Sequence, residues 1–151
     1  ENILKKINNK KLNISILRCF TFIGKKILLR KQYAISDFIN SIKSKNKIEV
    51  KNPLSIRSYM NPVDLSEWLL TIAFKSNSLY QIVNVGSDRE INMKNLSKKI
   101  SERYDKNSQV IFKANKEKDY YVPNIQKAKT KFRLRNRFSF DKSLDDILNI
   151  W

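Results

Sequence analysis

The chain has 151 residues, with 31 lysines and arginines against 14 acidic residues, no histidine, one cysteine and a formal net charge of +17. At 41% hydrophobic and 11% aromatic it can bury a core, which excludes disorder of the whole chain. No apolar run reaches the ~18 residues of a membrane span. The lack of histidine excludes Ser-His-Asp and Cys-His catalysis and imidazole-ligated metals, and a lone Cys19 excludes an intrachain disulfide and any multi-cysteine zinc site.

In chain order, Ile3, Leu4 and Ile7 have helical spacing and read as the last turns of a helix. Nothing at Glu1 resembles a signal peptide, so the chain reads as the middle or end of something longer. Residues 12–20, rich in β-branched and apolar side chains, predict a buried strand that holds Cys19 as an inert thiol. Residues 21–32 read as an irregular loop. Ile35, Phe38, Ile39 and Ile42 form an i, i+3, i+4, i+7 stripe, so residues 33–45 read as a helix. Residues 48–50 and 56–60 read as short extended pieces on either side of a turn at Lys51-Asn52-Pro53.

Asn61-Pro62 then marks a helix start, with Asp64 in the positive first turn and Leu65, Trp68, Leu69 and Ile72 as the buried stripe to Lys75. Residues 80–85 predict a strand that stops at Gly86-Ser87. Asn92 caps a helix through Leu96, Ile100 and Tyr104, and residues 109–112 form a strand. Residues 113–119 read as a charged loop, and Tyr120, Tyr121 and Trp68 as core or interface aromatics. Asn124 caps a helix over 125–132, and Ser139 caps a last one faced by Leu144, Ile147 and Leu148. Strands alternating with helices place the chain in the α/β or α+β class.

The catalytic inventory is thin. There is no GxGxxG sequence, P-loop or D-x-D cluster, and Asp145 and Asp146 read as a solvated face. The densest basic run alternates Lys127, Lys129, Lys131, Arg133, Arg135 and Arg137. No zinc-finger spacing, ribonucleoprotein motif or GxxG loop accompanies it. The charge therefore reads as compositional drift over solvated faces. Arg57 stands apart, in an extended stretch before a strongly capped helix, where an arginine can offer a planar fork to phosphate oxygens or make a surface ion pair.

Five segments in order resemble the NAD-dependent epimerase/dehydratase family, the extended short-chain dehydrogenases/reductases that act on nucleotide sugars. Arg18-Cys19-Phe20-Thr21-Phe22-Ile23-Gly24 resembles its R-x-F-x-x-x-G-P segment, and Tyr33-Ala34-Ile35-Ser36-Asp37-Phe38-Ile39 its F-A-I-x-N-F-I helix. Arg57-Ser58-Tyr59 through Asp64-Leu65 resembles R-[SD]-[YF]-x-x-x-x-D-L. Val83-Asn84-Val85-Gly86-Ser87 resembles Y-N-V-G-S, and Tyr121-Val122-Pro123-Asn124 with Lys127-Ala128 resembles Y-V-P-D-x-x-[RK]-A. A closing helix ending in Trp151 fits as well. The departures are Lys25 for the proline after Gly24, Lys51-Asn52-Pro53 for a glycine-rich turn, Asn124 for aspartate, and Arg133 where a helix-ending glycine is common.

The resemblance implies an α/β fold: the C-terminal portion of a Rossmann-type extended enzyme plus its small α+β substrate-binding domain. It implies a Rossmann helix tail and late strand over 1–20, a substrate-binding excursion over 21–55, a return to the sheet over 56–87 and a substrate domain over 88–151. It implies that Arg57 grips the diphosphate, that Thr21 lies near nicotinamide and sugar with Phe20 beside the cofactor, and that Tyr33 walls the sugar-nucleotide pocket. It implies no metal, and NAD(P) in the full-length enzyme. The family's glycine-rich loop and Tyr-x-x-x-Lys pair are absent, so no catalytic residue is expected here, and this chain alone is expected to be inactive and to hold no cofactor tightly. The expected partners are a nucleotide sugar and an N-terminal Rossmann half, in a cytoplasmic enzyme of a family whose members are often homodimers; no membrane or nucleic-acid partner is implied. Without that half, open strand edges predict self-association. The alternatives are a stand-alone basic nucleic-acid-binding module and the relic of a split gene.

Overall fold

The computed structural model describes residues 1–6, 12–25, 33–114 and 118–148. The elements are α1 (Asn2–Lys5), β1 (Ile14–Cys19), α2 (Ala34–Lys45), β2 (Lys47–Val50), β3 (Ile56–Ser58), α3 (Pro62–Lys75) and β4 (Tyr80–Val85), followed by β5 (Glu90–Asn92), α4 (Met93–Tyr104), β6 (Gln109–Phe112), β7 (Tyr120–Tyr121), α5 (Gln126–Phe132) and α6 (Phe140–Leu148). Ile7, Lys26–Gln32 and Trp151, on which the first helix, part of the long loop and the closing helix end were read, lie outside the described residues.

β1 and β4 pair in parallel, with Ile14 opposite Tyr80 and Cys19 opposite Val85. Strand alternation sends Gln81, Val83 and Val85 to one buried face and leaves Tyr80, Ile82 and Asn84 half-buried on the other. The buried face packs on α3 and α5 through Met60, Trp68, Ile72, Ile125 and Phe132. Trp68 is fully buried there.

A second core gathers the apolar stripes of α2 and α4 over a parallel β2–β6 pair, through Ile39, Ile42, Ile48, Val50, Leu96 and Ile100, with Leu144 and Ile147 of α6 closing it. β3 leads into both cores, since Tyr59 just after it belongs to the second and Met60 to the first. It pairs antiparallel with β5 and parallel with β7. Just beyond β3, Met60 bonds both ways with the segment after β1: its N–H donates to the Thr21 carbonyl at 3.1 Å and its carbonyl accepts from Ile23 N–H at 2.9 Å.

The caps read from sequence hold the helices. Asn61 Oδ1 accepts Val63 N–H at 2.9 Å, Asn92 Oδ1 accepts Asn95 N–H at 2.7 Å, and Ser139 Oγ accepts Lys142 N–H at 3.1 Å. Asn124 Oδ1 accepts Gln126 N–H at 2.9 Å, although α5 itself starts one residue later than the sequence predicts. Two strands were not legible. β5 and β7 are three and two residues long, and only pairing with β3 makes them strands.

The readings of Cys19 and of the Tyr120-Tyr121 pair change. Cys19 is exposed at the end of β1 rather than buried; partial desolvation still pushes its thiol up. Tyr120 and Tyr121 are exposed rather than core. Asp145 and Asp146 do lie on a solvated face, their side chains 43% and 42% exposed, and pair there with Arg103 and Lys142, each at 2.6 Å.

Candidate functional site

Side chains alternate along β3, so Ser58 turns into the core while Arg57 turns to the opposite side. The Arg57 side chain keeps 26% exposure and is held from several directions. Its Nη1 donates to the Ile56 carbonyl at 2.9 Å and to the Asp119 carbonyl at 3.3 Å, and its Nη2 donates to the Asp119 carboxylate. Its guanidinium carbon lies 5.9 Å from the centre of the Tyr121 ring. That ring in turn tilts at 30° against Phe20, with centroids 4.7 Å apart. Phe20, Tyr121, Arg57 and Asp119 thus form a continuous line across β1, β7 and β3.

Arg57 and Tyr33 line one cleft of about 320 Å³. Tyr33 stands at the start of α2 in extended backbone (φ −100°, ψ 135°), and its carbonyl takes the first helical bond, from Asp37 N–H at 2.9 Å. Asp37, Glu49 and Lys51 also border the cleft, so it holds two acids and two bases in a strongly basic chain. Lys47 donates to Glu49 at 2.7 Å and holds its carboxyl below the usual range. The phenol of Tyr59 is pushed well above its ordinary range by burial. Thr21 does not line this cleft; its described bond is the backbone one to Met60.

The structure therefore brings Arg57 and Tyr33 together, connects Phe20 to them through Tyr121, and leaves Thr21 aside. Sequence reasoning missed Asp119 and Tyr121 as neighbours of Arg57. Tyr121 opens the Tyr-Val-Pro segment, which was the available signal; Asp119 is 62 residues from Arg57 and has no local signal.

The dense basic run is largely spent on the fold. Lys127 donates to the Ile82 carbonyl at 2.7 Å, Lys129 pairs with Asp88 at 2.5 Å, and Lys131 donates to Ser78 and Gln81 at 2.7 and 2.8 Å. Arg137 pairs with Glu67. Further concavities among the described residues include about 450 Å³ between β5, α4 and α6, where Lys99 pairs with Asp141, about 550 Å³ beside Asp88 and Lys129, and about 460 Å³ beside Arg18, Asn84 and Lys127. Among the described residues no cluster of His, Cys, Asp and Glu could hold a metal, and no helix is long and apolar enough to cross a membrane.

The residues present do not fit a dinucleotide. A dinucleotide cradle needs glycine backbone open to the pyrophosphate at a helix N-terminus. A Cβ on Gly24 would stand 2.9 Å from Pro62 Cγ, and one on Gly86 would stand 2.8 Å from Pro123 Cγ. Both glycines serve close packing against proline rings, not ligand approach.

No model of a known protein family matches the sequence, and no curated protein does. Solved structures do. One is RMD from Pseudomonas aeruginosa complexed with NADPH, at a TM-score of 0.82 and 16% identity, over 98% of this chain and 51% of that one. Another is dTDP-glucose 4,6-dehydratase from Bacillus anthracis in complex with NAD (0.79, 15%, 97% and 47%). A third is a variant of UDP-glucuronic acid 4-epimerase from Bacillus cereus, bound to a UDP-deoxyfluoro-glucuronic acid and NAD (0.76, 17%, 94% and 47%). The chain spans about half the length of the structures it matches. Its fold is that of the C-terminal part of extended short-chain dehydrogenase/reductase structures, among them NAD-dependent epimerases and dehydratases.

Proposed function

We propose that this chain is the substrate-binding half of an NAD-dependent nucleotide-sugar epimerase or dehydratase, with Arg57 as the cation that grips the sugar-nucleotide diphosphate. The observation that carries this reading is the shared cleft. Arg57 and Tyr33, marked by two different motifs, meet across it. An arginine fork is suited to phosphate oxygens by geometry as well as charge. Tyr33 and the first turn of α2 wall the sugar side, and Phe20 with Tyr121 forms the aromatic flank. Thr21 keeps its place in the proposal as a residue of the adjoining β1 end, nearer the cofactor than the diphosphate.

Cofactor binding and proton transfer belong, in this proposal, to an N-terminal Rossmann half that pairs with the open edge of β1. When bound there, NAD(P) supplies hydride transfer at the sugar. The residues of this chain bind and orient the substrate and turn nothing over by themselves. The matched Bacillus anthracis dehydratase and Bacillus cereus epimerase support this reaction class.

Calorimetric titration of the purified chain with UDP tests the reading. Binding is expected, and Arg57→Ala should weaken it by about 10–100-fold, the worth of a charge-assisted hydrogen bond or two. Equal binding by the two proteins, or none by either, overturns it. Incubation with NAD and several nucleotide sugars should give no NADH signal; turnover by this chain alone would refute the proposed division of labour.

A further inference from the structure

The cation assigned to the diphosphate is already neutralised. The Asp119 carboxylate accepts from Nη2 of Arg57, and the Asp119 carbonyl accepts from Nη1. The two partners are unequally fixed. Arg57 is 26% exposed, bonded to the backbone at Ile56 and Asp119 and covered by Tyr121, whereas the Asp119 side chain is 64% exposed. The Asp119 backbone is also held: its carbonyl accepts Ile56 N–H at 2.7 Å, and β3 pairs with β7 directly after it. A rotation about the Asp119 side chain would therefore free Nη2 of Arg57, with Nη1 still held by the backbone and neither strand moved.

We propose that Asp119 is an internal competitor for the anion that Arg57 takes, so that a nucleoside diphosphate binds by displacing the Asp119 carboxylate from the guanidinium. This rests on the diphosphate reading of Arg57. The displacement is within reach because an exposed ion pair is weak in water, while a diphosphate carries more charge and more acceptor oxygens than one carboxylate. The cost of displacement lowers affinity for every anion at Arg57, whatever nucleoside it carries. Asp119 thus sets a threshold of charge: a monoanion gains little by replacing another carboxylate, and a diphosphate gains more.

The test compares wild type, Asp119→Asn, Arg57→Ala and the double variant, titrated with UDP and, separately, with inorganic pyrophosphate. Asparagine keeps the backbone bonds and the size of the side chain and removes the charge. Asp119→Asn should tighten both probes about fivefold, the upper worth of an exposed ion pair. The gain should vanish when Arg57 is also alanine. A thermal melt separates the alternative that the pair merely braces β3 against β7, since that role predicts a lower melting temperature with unchanged or weaker binding. If Arg57→Ala loses binding but Asp119→Asn gains none, or gains it without Arg57, the inference on Asp119 fails and the diphosphate reading stands. If no protein of the set binds either probe, both fail.

Discussion

Arg133 shows how one residue can record a departure from a pattern. It ends α5 with φ 57° and ψ 32°, in the left-handed region, while Leu134 N–H donates to the Ala128 carbonyl at 3.2 Å. This is the helix end at which glycine is favoured, because a Cβ in left-handed backbone crowds the carbonyl. Asn46, at φ 49°, ends α2 in the same way with a residue type that tolerates the conformation better. Arg133 has no such excuse, and none of its side-chain nitrogens makes an ion pair among the described residues. Arg133→Gly should therefore stabilise the protein by about 0.5–1 kcal/mol, strain relieved less the added freedom of the unfolded chain. Urea denaturation measures it, and a loss of stability would assign the arginine side chain a role that its geometry does not show. The sequence marked this position because glycine is common there. It could not mark the Arg57–Asp119 pair, because the two residues meet only when β3 and β7 align.

Among the elements, α3 ties distant parts of the chain together at its N-terminus. Asp64 reads from sequence as an acid placed in the positive end of a helix. In the fold it is also fully buried, and its Oδ2 accepts the N–H groups of Arg137 and Phe138, both at 3.1 Å. One turn earlier, the Asn61 side chain caps the helix through Oδ1 and donates through Nδ2 to Ser143 Oγ at 2.9 Å. The first turn of α3 thereby anchors the approach to α6 and its first turn, joining the two cores. Asp64→Ala leaves two buried N–H groups without their acceptor and should cost about 2–4 kcal/mol. Asp64→Asn keeps one acceptor oxygen and should cost less. Equilibrium unfolding of both variants checks this, and a loss under about 1 kcal/mol for alanine would mean that water reaches the site. The helices themselves were legible because periodicity and caps are local. β5 and β7 were not, because charged or aromatic two- and three-residue segments carry no period.

Over the whole molecule, the open question is the edge of β1. Among the described residues β1 pairs only with β4, and Ile14, Ile16, Tyr80 and Ile82 leave a half-buried apolar face beside that edge. Parallel strands buried in a sheet are normally flanked on both sides, and an unpaired edge is a template for another strand. The matched structures run to about twice the length of this chain, so each holds further chain with which such an edge can pair. Hydrogen exchange reads this directly. Ile14 N–H donates to Leu79 and Phe20 N–H to Val85, each at 2.9 Å, so alternation along a parallel ladder turns the even-numbered amides of β1 toward β4. The amides of Ser15, Leu17 and Cys19 then face outward. In dilute solution they should exchange faster than those of Ile14, Ile16 and Phe20, which are held in the ladder. Raising the protein concentration, or adding a chain that carries a Rossmann N-terminal half, should slow exchange at the odd positions and leave the even ones unchanged. Equal protection of both sets in the dilute monomer would mean that the edge is already covered, and the proposed pairing with a second half would lose its surface.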